Sequence, residues 1–140
     1  MTAPTINFWA VLLATASTMV VGSVWYTPKV FGTYWMEKAK VDRDTQASRG
    51  VLPIIVTVAV SFVTAVVLAG ATTITNEFYQ GTYLVDALVT GTVLWAGFTA
   101  ARMITHDAFE ARPAGLTAVN LAHELITVLV MALVIGLLGI

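Results

Sequence analysis

Between Arg102 and Glu124 the chain gathers the side chains that could do chemistry. It reads Arg102-Met-Ile-Thr-His106-Asp107-Ala-Phe-Glu110-Ala-Arg112-Pro113, then a short turn, then Asn120-Leu-Ala-His123-Glu124. Asn120, His123, Glu124 and Thr127 recur at three- and four-residue spacing, so they share one face of a helix. Arg102, His106 and Glu110 would form a matching stripe on a helix that runs up to the 113–115 turn. Facing each other across that turn, the two stripes make an acid–base set. Glu124 would give or take a proton with His123, which titrates near neutrality, as its partner and His106 beside them. Arg102 would stabilise a developing anion. The same groups have a plainer use: Arg102, Asp107, Glu110 and Glu124 could pair as ion pairs that fasten two helices together.

Other chemistries are poorly served. The chain has no cysteine, which removes disulfides, thiolate nucleophiles and zinc–thiolate sites. His106/Glu110 and His123/Glu124 offer nitrogen and oxygen donors, yet no H-E-x-x-H or paired Glu-x-x-His motif is present, so no metal is expected. Ser17, Ser23, Ser48 and Ser61 lack a nearby histidine in sequence. No glycine-rich phosphate loop occurs, and no cofactor is expected.

The elements that would position these residues are apolar helices. Hydrophobic residues make up 58% of the chain and charged ones 11%, against about a quarter charged in soluble domains, so this reads as an integral membrane protein. A net charge of −1 gives no reason to expect nucleic acid as a partner. The expected fold is all-α: one domain over 1–140, with four transmembrane helices in an antiparallel bundle and a short interfacial amphipathic helix. The spans are placed at 8–25, 51–74, 83–103 and 116–140. The first lacks a basic leader and reads as a retained span. Ala14, Thr18 and Gly22 form a small-residue stripe on it, and Ala65/Ala69 a second pair on the next span, suited to close helix approach.

Trp25-Tyr26-Thr27-Pro28 ends the first helix. Over 28–40 the apolar positions Val30, Phe31, Tyr34, Trp35 and Ala39 recur at helical spacing, as expected of a helix in the headgroup layer. Residues 41–49 form a polar linker whose Asp44 or Ser48 could cap the next helix. Residues 75–82 read as a polar turn, with Phe78 and Tyr79 at the interface. Asp86, just after it, fits either the end of an ion path or a helix-start residue whose charge suits the dipole.

Lys29, Lys38, Lys40, Arg43 and Arg49 lie between the first two spans, and Arg102 and Arg112 between the last two. All seven basic residues therefore fall on one face, and the positive-inside rule makes that face cytoplasmic, with both termini outside. The expected location is the bacterial cytoplasmic (inner) membrane.

Asn7, Gly22, Trp25-Tyr26-Thr27-Pro28, Phe31-Gly32 and Trp35 resemble the opening signature of the DUF1761 family of small bacterial membrane proteins. Gly91, Trp95-Ala-Gly97-Phe98, Phe109-Glu110, Leu116 and Asn120 resemble its second half. The resemblance implies a multi-pass helical membrane protein and carries no catalytic roles with it.

Two functions compete. The first is a membrane-embedded acid–base catalyst for isomerisation or cyclisation of a lipophilic small molecule. Glu124, His123, Arg102 and His106 would act, while Asn120, Trp25, Tyr26 and Trp95 hold the substrate. The second is a proton- or cation-linked transporter with Asp86 and Glu124 at opposite ends of its path, which would need a homo-oligomer because four helices enclose little volume. An accessory subunit with a purely structural polar cluster is a third. Membrane lipid is a partner in each.

Overall fold

The computed structural model describes residues 2–139. Among them every regular element is helical: α1 (Phe8–Trp25), α2 (Gly32–Ala39), α3 (Arg43–Ser48), α4 (Leu52–Tyr79), α5 (Tyr83–Leu94), a π-helical stretch Trp95–Ala100, α6 (Ala101–Phe109) and α7 (Ala114–Leu138). The π stretch joins α5 and α6 into one rod, so four helices are long and apolar enough to cross a membrane: Phe8–Trp25, Leu52–Tyr79, Tyr83–Phe109 and Ala114–Leu138. The chain is a small multi-pass membrane protein in which side chains such as Trp9, Val20, Val63 and Phe98 face lipid.

Local chemistry sets the helix ends. The Asn7 side chain accepts hydrogen bonds from the backbone N–H groups of Trp9 (3.1 Å) and Ala10 (3.3 Å) and starts α1. Pro53 occupies the first turn of α4, where its missing N–H costs nothing. Neither Asp44 nor Ser48 caps α4, which begins after Val51 without a capping side chain. Asp42 instead caps α3, accepting from the Thr45 N–H at 2.6 Å, so the linker expected over 41–49 contains a helix. The helix expected over 28–40 starts only at Gly32, because 28–31 are spent on a turn.

The second span runs five residues past its expected end at 74, to Tyr79, and the 75–82 turn shrinks to 80–82. Asn76 explains the difference. Its Nδ2 donates to the Gly81 carbonyl (2.9 Å) and to Asp86 Oδ2 (2.8 Å), so a residue that reads as loop-forming stays helical and closes the turn from inside. The third span reaches Phe109 instead of 103. The last begins at Ala114, and its expected end at Ile140 lies outside the described residues.

Neighbouring helices are antiparallel. The hydroxyl of Thr73 on α4 donates to the carbonyl of Thr5, just before α1 (2.8 Å), and Thr18 Oγ1 of α1 lies 3.1 Å from Ser61 Oγ of α4. On α4 and α5, Thr90 donates to Thr75 (3.0 Å). Gly136 of α7 meets α5 at Leu84, and Tyr26 at the end of α1 meets Asn120 of α7. The order around the bundle is α1, α4, α5, α7.

Packing is concentrated toward one end. Ala10, Val11, Ala14, Ala65, Leu68, Ala69, Ala87, Met131, Ala132 and Ile135 form a closed core there. Small residues dominate because lipid is as apolar as the helices, so close van der Waals packing holds the spans together. Gly136 illustrates how close they come: a Cβ there would sit 2.7 Å from the Leu84 Cα. At the opposite end, which carries α2, α3 and the α6–α7 turn, the first nine residues of α4 are exposed on every side. The bundle opens like a clothes peg.

Candidate functional site

The opening is shaped by the turn after α1. Phe31 N–H donates to the Trp25 carbonyl (3.0 Å), and Gly32 N–H to the Thr27 carbonyl (2.8 Å). Gly32 leaves no room for a side chain, since a Cβ would collide with the Tyr26 carbonyl oxygen and lie 2.7 Å from the Thr27 carbonyl carbon. The turn folds α2 back under the end of α1. Phe31 then packs on Trp25 with ring centroids 4.6 Å apart, and Trp35 meets Tyr26 edge-on at 5.6 Å. The Tyr34 hydroxyl rests on Gly115 at the start of α7.

α7 supplies the polar stripe. One uninterrupted helix places Asn120, His123, Glu124 and Thr127 along the wall of a cleft of about 760 Å3. Gly22, Tyr26 and Trp35 border its polar mouth, and Pro53, Ile54, Val56 and Val60 of α4 form the opposite wall. The volume falls in the range of small-molecule sites, about 300–1,000 Å3. A smaller cavity of about 190 Å3, lined by Gly32, Met36 and Gln46, shares Tyr26 and Trp35 with it.

Tyr26 donates its phenolic proton to Asn120 Oδ1 at 2.8 Å. Burial pushes this phenol up to about 12, and the Glu124 carboxylate adds to the rise, so Tyr26 stays a neutral donor at physiological pH. The His123 ring lies 4.8 Å from the Tyr26 ring and 6.2 Å from that of Trp25. Its Nδ1 is 3.5 Å from Glu124 Oε1, and its Nε2 is 3.4 Å from the Thr127 hydroxyl. His123 is the more enclosed of the pair, with 16% of its side chain exposed against 41% for Glu124. An imidazole set between a carboxylate and a hydroxyl can relay a proton from one ring nitrogen's side to the other.

Further along the cleft, the threonine hydroxyls are engaged by their own helices. Thr57 and Thr64 donate to the carbonyls of Pro53 (2.7 Å) and Val60 (3.0 Å) on their own helix, as Thr18 does to Thr15 (2.7 Å). Val128 and Met131 floor the cleft.

The expected partners from the third span are absent from this lining. Arg102 and His106 are exposed and do not line the cleft; Met103 does. On the next turn Asp107, not His106, reaches α7, accepting from the Thr117 hydroxyl at 2.6 Å. Arg112 pairs with Glu110 (2.8 Å) and stands 3.9 Å from Asp107, so these charges brace the local turn and neither Arg102 nor Glu124 joins them. The cause is the π-helical stretch. One residue inserted into an α-helix turns everything after it by about 100°. In unbroken α-helix the face carrying Ala87, Gly91 and Trp95 would continue through Phe98, Arg102 and His106. Here Phe98 is 76% exposed, and the inward positions become Ala100, Met103 and Asp107.

Trp95 and Trp25 also stand outside the cleft lining. Trp95 Nε1 donates to the Leu121 carbonyl of α7 (3.2 Å), which moors the π stretch to the bundle. Trp25 supports the site from behind, and among the described residues its Nε1 is a buried donor without a partner. The α4 wall is not among the residues expected from the sequence. Its signal is Thr57, Ser61 and Thr64, a polar stripe at helical spacing in an otherwise apolar span. Among the described residues no group of three or more His, Asp or Glu side chains is placed to hold a metal.

The family model described as "Protein of unknown function (DUF1761)" matches residues 9–136. No curated protein and no solved structure matches the chain. With nearly its whole length covered, the chain belongs to the DUF1761 family.

Proposed function

We propose that this DUF1761 protein is a membrane-embedded acid–base catalyst that isomerises or cyclises a lipophilic small molecule held in the cleft. One observation carries the reading: an adjacent histidine and carboxylate sit at the polar mouth of a large cleft that is otherwise apolar. The standing-off half of α4 lets a molecule slide in sideways from lipid. His123 or Glu124 removes a proton from one position of the ligand and the pair returns one at another, so no oxidant or reductant is required. The Tyr26 phenol, held neutral, and Asn120 orient the polar end. Arg102 and His106 have no part in this version, since they do not line the cleft.

Transport is less well supported. Asp86, 8% exposed and bound by Asn76, does not line the cleft. The loops support the orientation with 26–50 and 105–115 in the cytoplasm of a bacterium, because all seven basic residues lie at or near that end. Cysteines placed singly at Thr45 and Gln80 should then label from opposite sides of intact cells. External labelling at Thr45 would reverse the orientation.

The catalytic test works with an unidentified substrate. Protein in lipid nanodiscs is incubated in D2O with a lipid extract of its host membrane, and the lipophilic components are followed by mass spectrometry. A component should gain carbon-bound deuterium with the native protein and lose that gain in both Glu124→Gln and His123→Gln. Equal incorporation with and without these changes would remove the catalytic reading.

A further inference from the structure

The charge at the cleft mouth selects what fits there. Glu124 is the sole acidic residue in the lining, and among the described residues no Lys or Arg lines it. The carboxylate's contact is His123 Nδ1 at Oε1, 3.5 Å away, and Oε2 has no partner among the described residues. Asn120 Oδ1 accepts from Tyr26, and the Tyr26 oxygen, having given its proton away, keeps its lone pairs. Two electron-rich rings, Tyr26 and Trp35, flank the same space. A carboxylate, lone pairs and aromatic faces together favour a cation. An anion would meet the carboxylate with no guanidinium or ammonium to offset it.

The rest of the cleft sets the other half of the ligand. From Pro53 to Thr64 the α4 wall is about 16 Å long at 1.5 Å per residue, close to half of a ~30 Å hydrocarbon core. Along it lie Pro53, Ile54, Val56 and Val60, and the hydroxyls of Thr57 and Thr64 donate to carbonyls of their own helix. We infer that the cleft binds an amphiphilic cation, an ammonium head on a single hydrocarbon chain, with the nitrogen between Glu124 and the Tyr26–Trp35 rings and the chain running along α4 toward Met131. This rests on the cleft being a ligand site, as proposed for catalysis, and adds the class of ligand.

Three probes of equal chain length separate the charge from the chain: dodecylammonium, dodecanol and dodecanoate. Each is titrated in radiolabelled form against the full chain in phosphatidylcholine nanodiscs, with uptake by empty nanodiscs subtracted. Dodecylammonium should bind saturably and at least tenfold more tightly than dodecanol, with no saturable dodecanoate. Glu124→Gln should bring dodecylammonium down to the level of dodecanol and leave dodecanol unchanged, which also shows that the variant is folded. Dodecanoate binding as tightly as dodecylammonium, or dodecylammonium binding untouched by Glu124→Gln, overturns the cation. If Glu124→Gln does not fold, Trp35→Ala serves in its place and should weaken dodecylammonium more than dodecanol; equal loss overturns the cation as well. No saturable binding of any probe removes the ligand site together with the inference. Cation binding without deuterium incorporation leaves the inference standing and ends the catalytic reading.

Discussion

The two ends of this bundle are built from the same four helices and obey different rules. At the end holding Ala10, Ala14, Ala65, Leu68, Ala87 and Ala132, small residues let the backbones close until no side chain as large as alanine fits at Gly136. At the other end α4 presents Pro53, Ile54, Val56, Thr57 and Val60 to a cleft, and Ile54 and Val60 are each 59% exposed. Bulky, branched side chains there hold the helices apart. Where α4 packs it presents Ala65, Ala69 and Gly70; where it stands off it presents Ile54, Val56 and Val60. In lipid, where burial itself gives little, volume decides which parts of a bundle close and which stay open.

The largest expected effect tests the closed end. Leu68→Ala would cost about 2–5 kcal/mol in a water-soluble core, and in lipid it should keep the packing share of that, about 1–3 kcal/mol. Unfolding in mixed micelles would measure it. A loss near zero would mean that the closed end is no better packed than the cleft.

Deleting Gly97 probes the boundary between the ends. No side-chain atom lies near this glycine, so its removal should take out the extra residue of the π stretch without opening a hole. α6 would then turn back by about 100°, moving Met103 and Asp107 off α7 and bringing Arg102 and His106 toward it. Losing the bond from Thr117 to Asp107 should cost about 1.5–3 kcal/mol, as for a hydrogen bond to a charged group. Cysteines at Asp107 and Thr117 should crosslink in the native background and fail to do so in the deletion. Unchanged crosslinking would show that the register is set elsewhere.

The smallest effect belongs to the open end. Val60→Ala, in the cleft wall, should change stability by less than about 0.5 kcal/mol because few neighbours are lost. Should it match Leu68→Ala, the cleft is closed in the membrane and the contrast between the ends disappears.

These contrasts also sort what could be read from the chain. The apolar runs gave all four spans, and the α7 stripe was legible because nothing interrupts that helix between Ala114 and Leu138. Its members Asn120, His123, Glu124 and Thr127 meet in the cleft as their spacing predicts. The stripe on the third span failed for one reason. Trp95-Ala-Gly97-Phe98-Thr-Ala contains no proline, and nothing in its composition announces the wider turn that rotates Arg102 and His106 away from the cleft. The end of α4 was misjudged for the opposite reason. Thr75, Asn76 and Glu77 look like a loop, but the Asn76 amide finds both of its partners within the next ten residues.

That asparagine bears on how the chain enters a membrane. A carboxylate such as Asp86 resists leaving water, and a polar group met only by a distant helix would have to wait for that helix to be made. Asn76 and Asp86 sit on the two arms of one hairpin, joined by a 2.8 Å hydrogen bond across a three-residue turn. The Thr90–Thr75 contact joins the same two helices one turn further along α5. α4 and α5 therefore carry their own polar partners and can be inserted together as a helical hairpin, before α7 has left the ribosome.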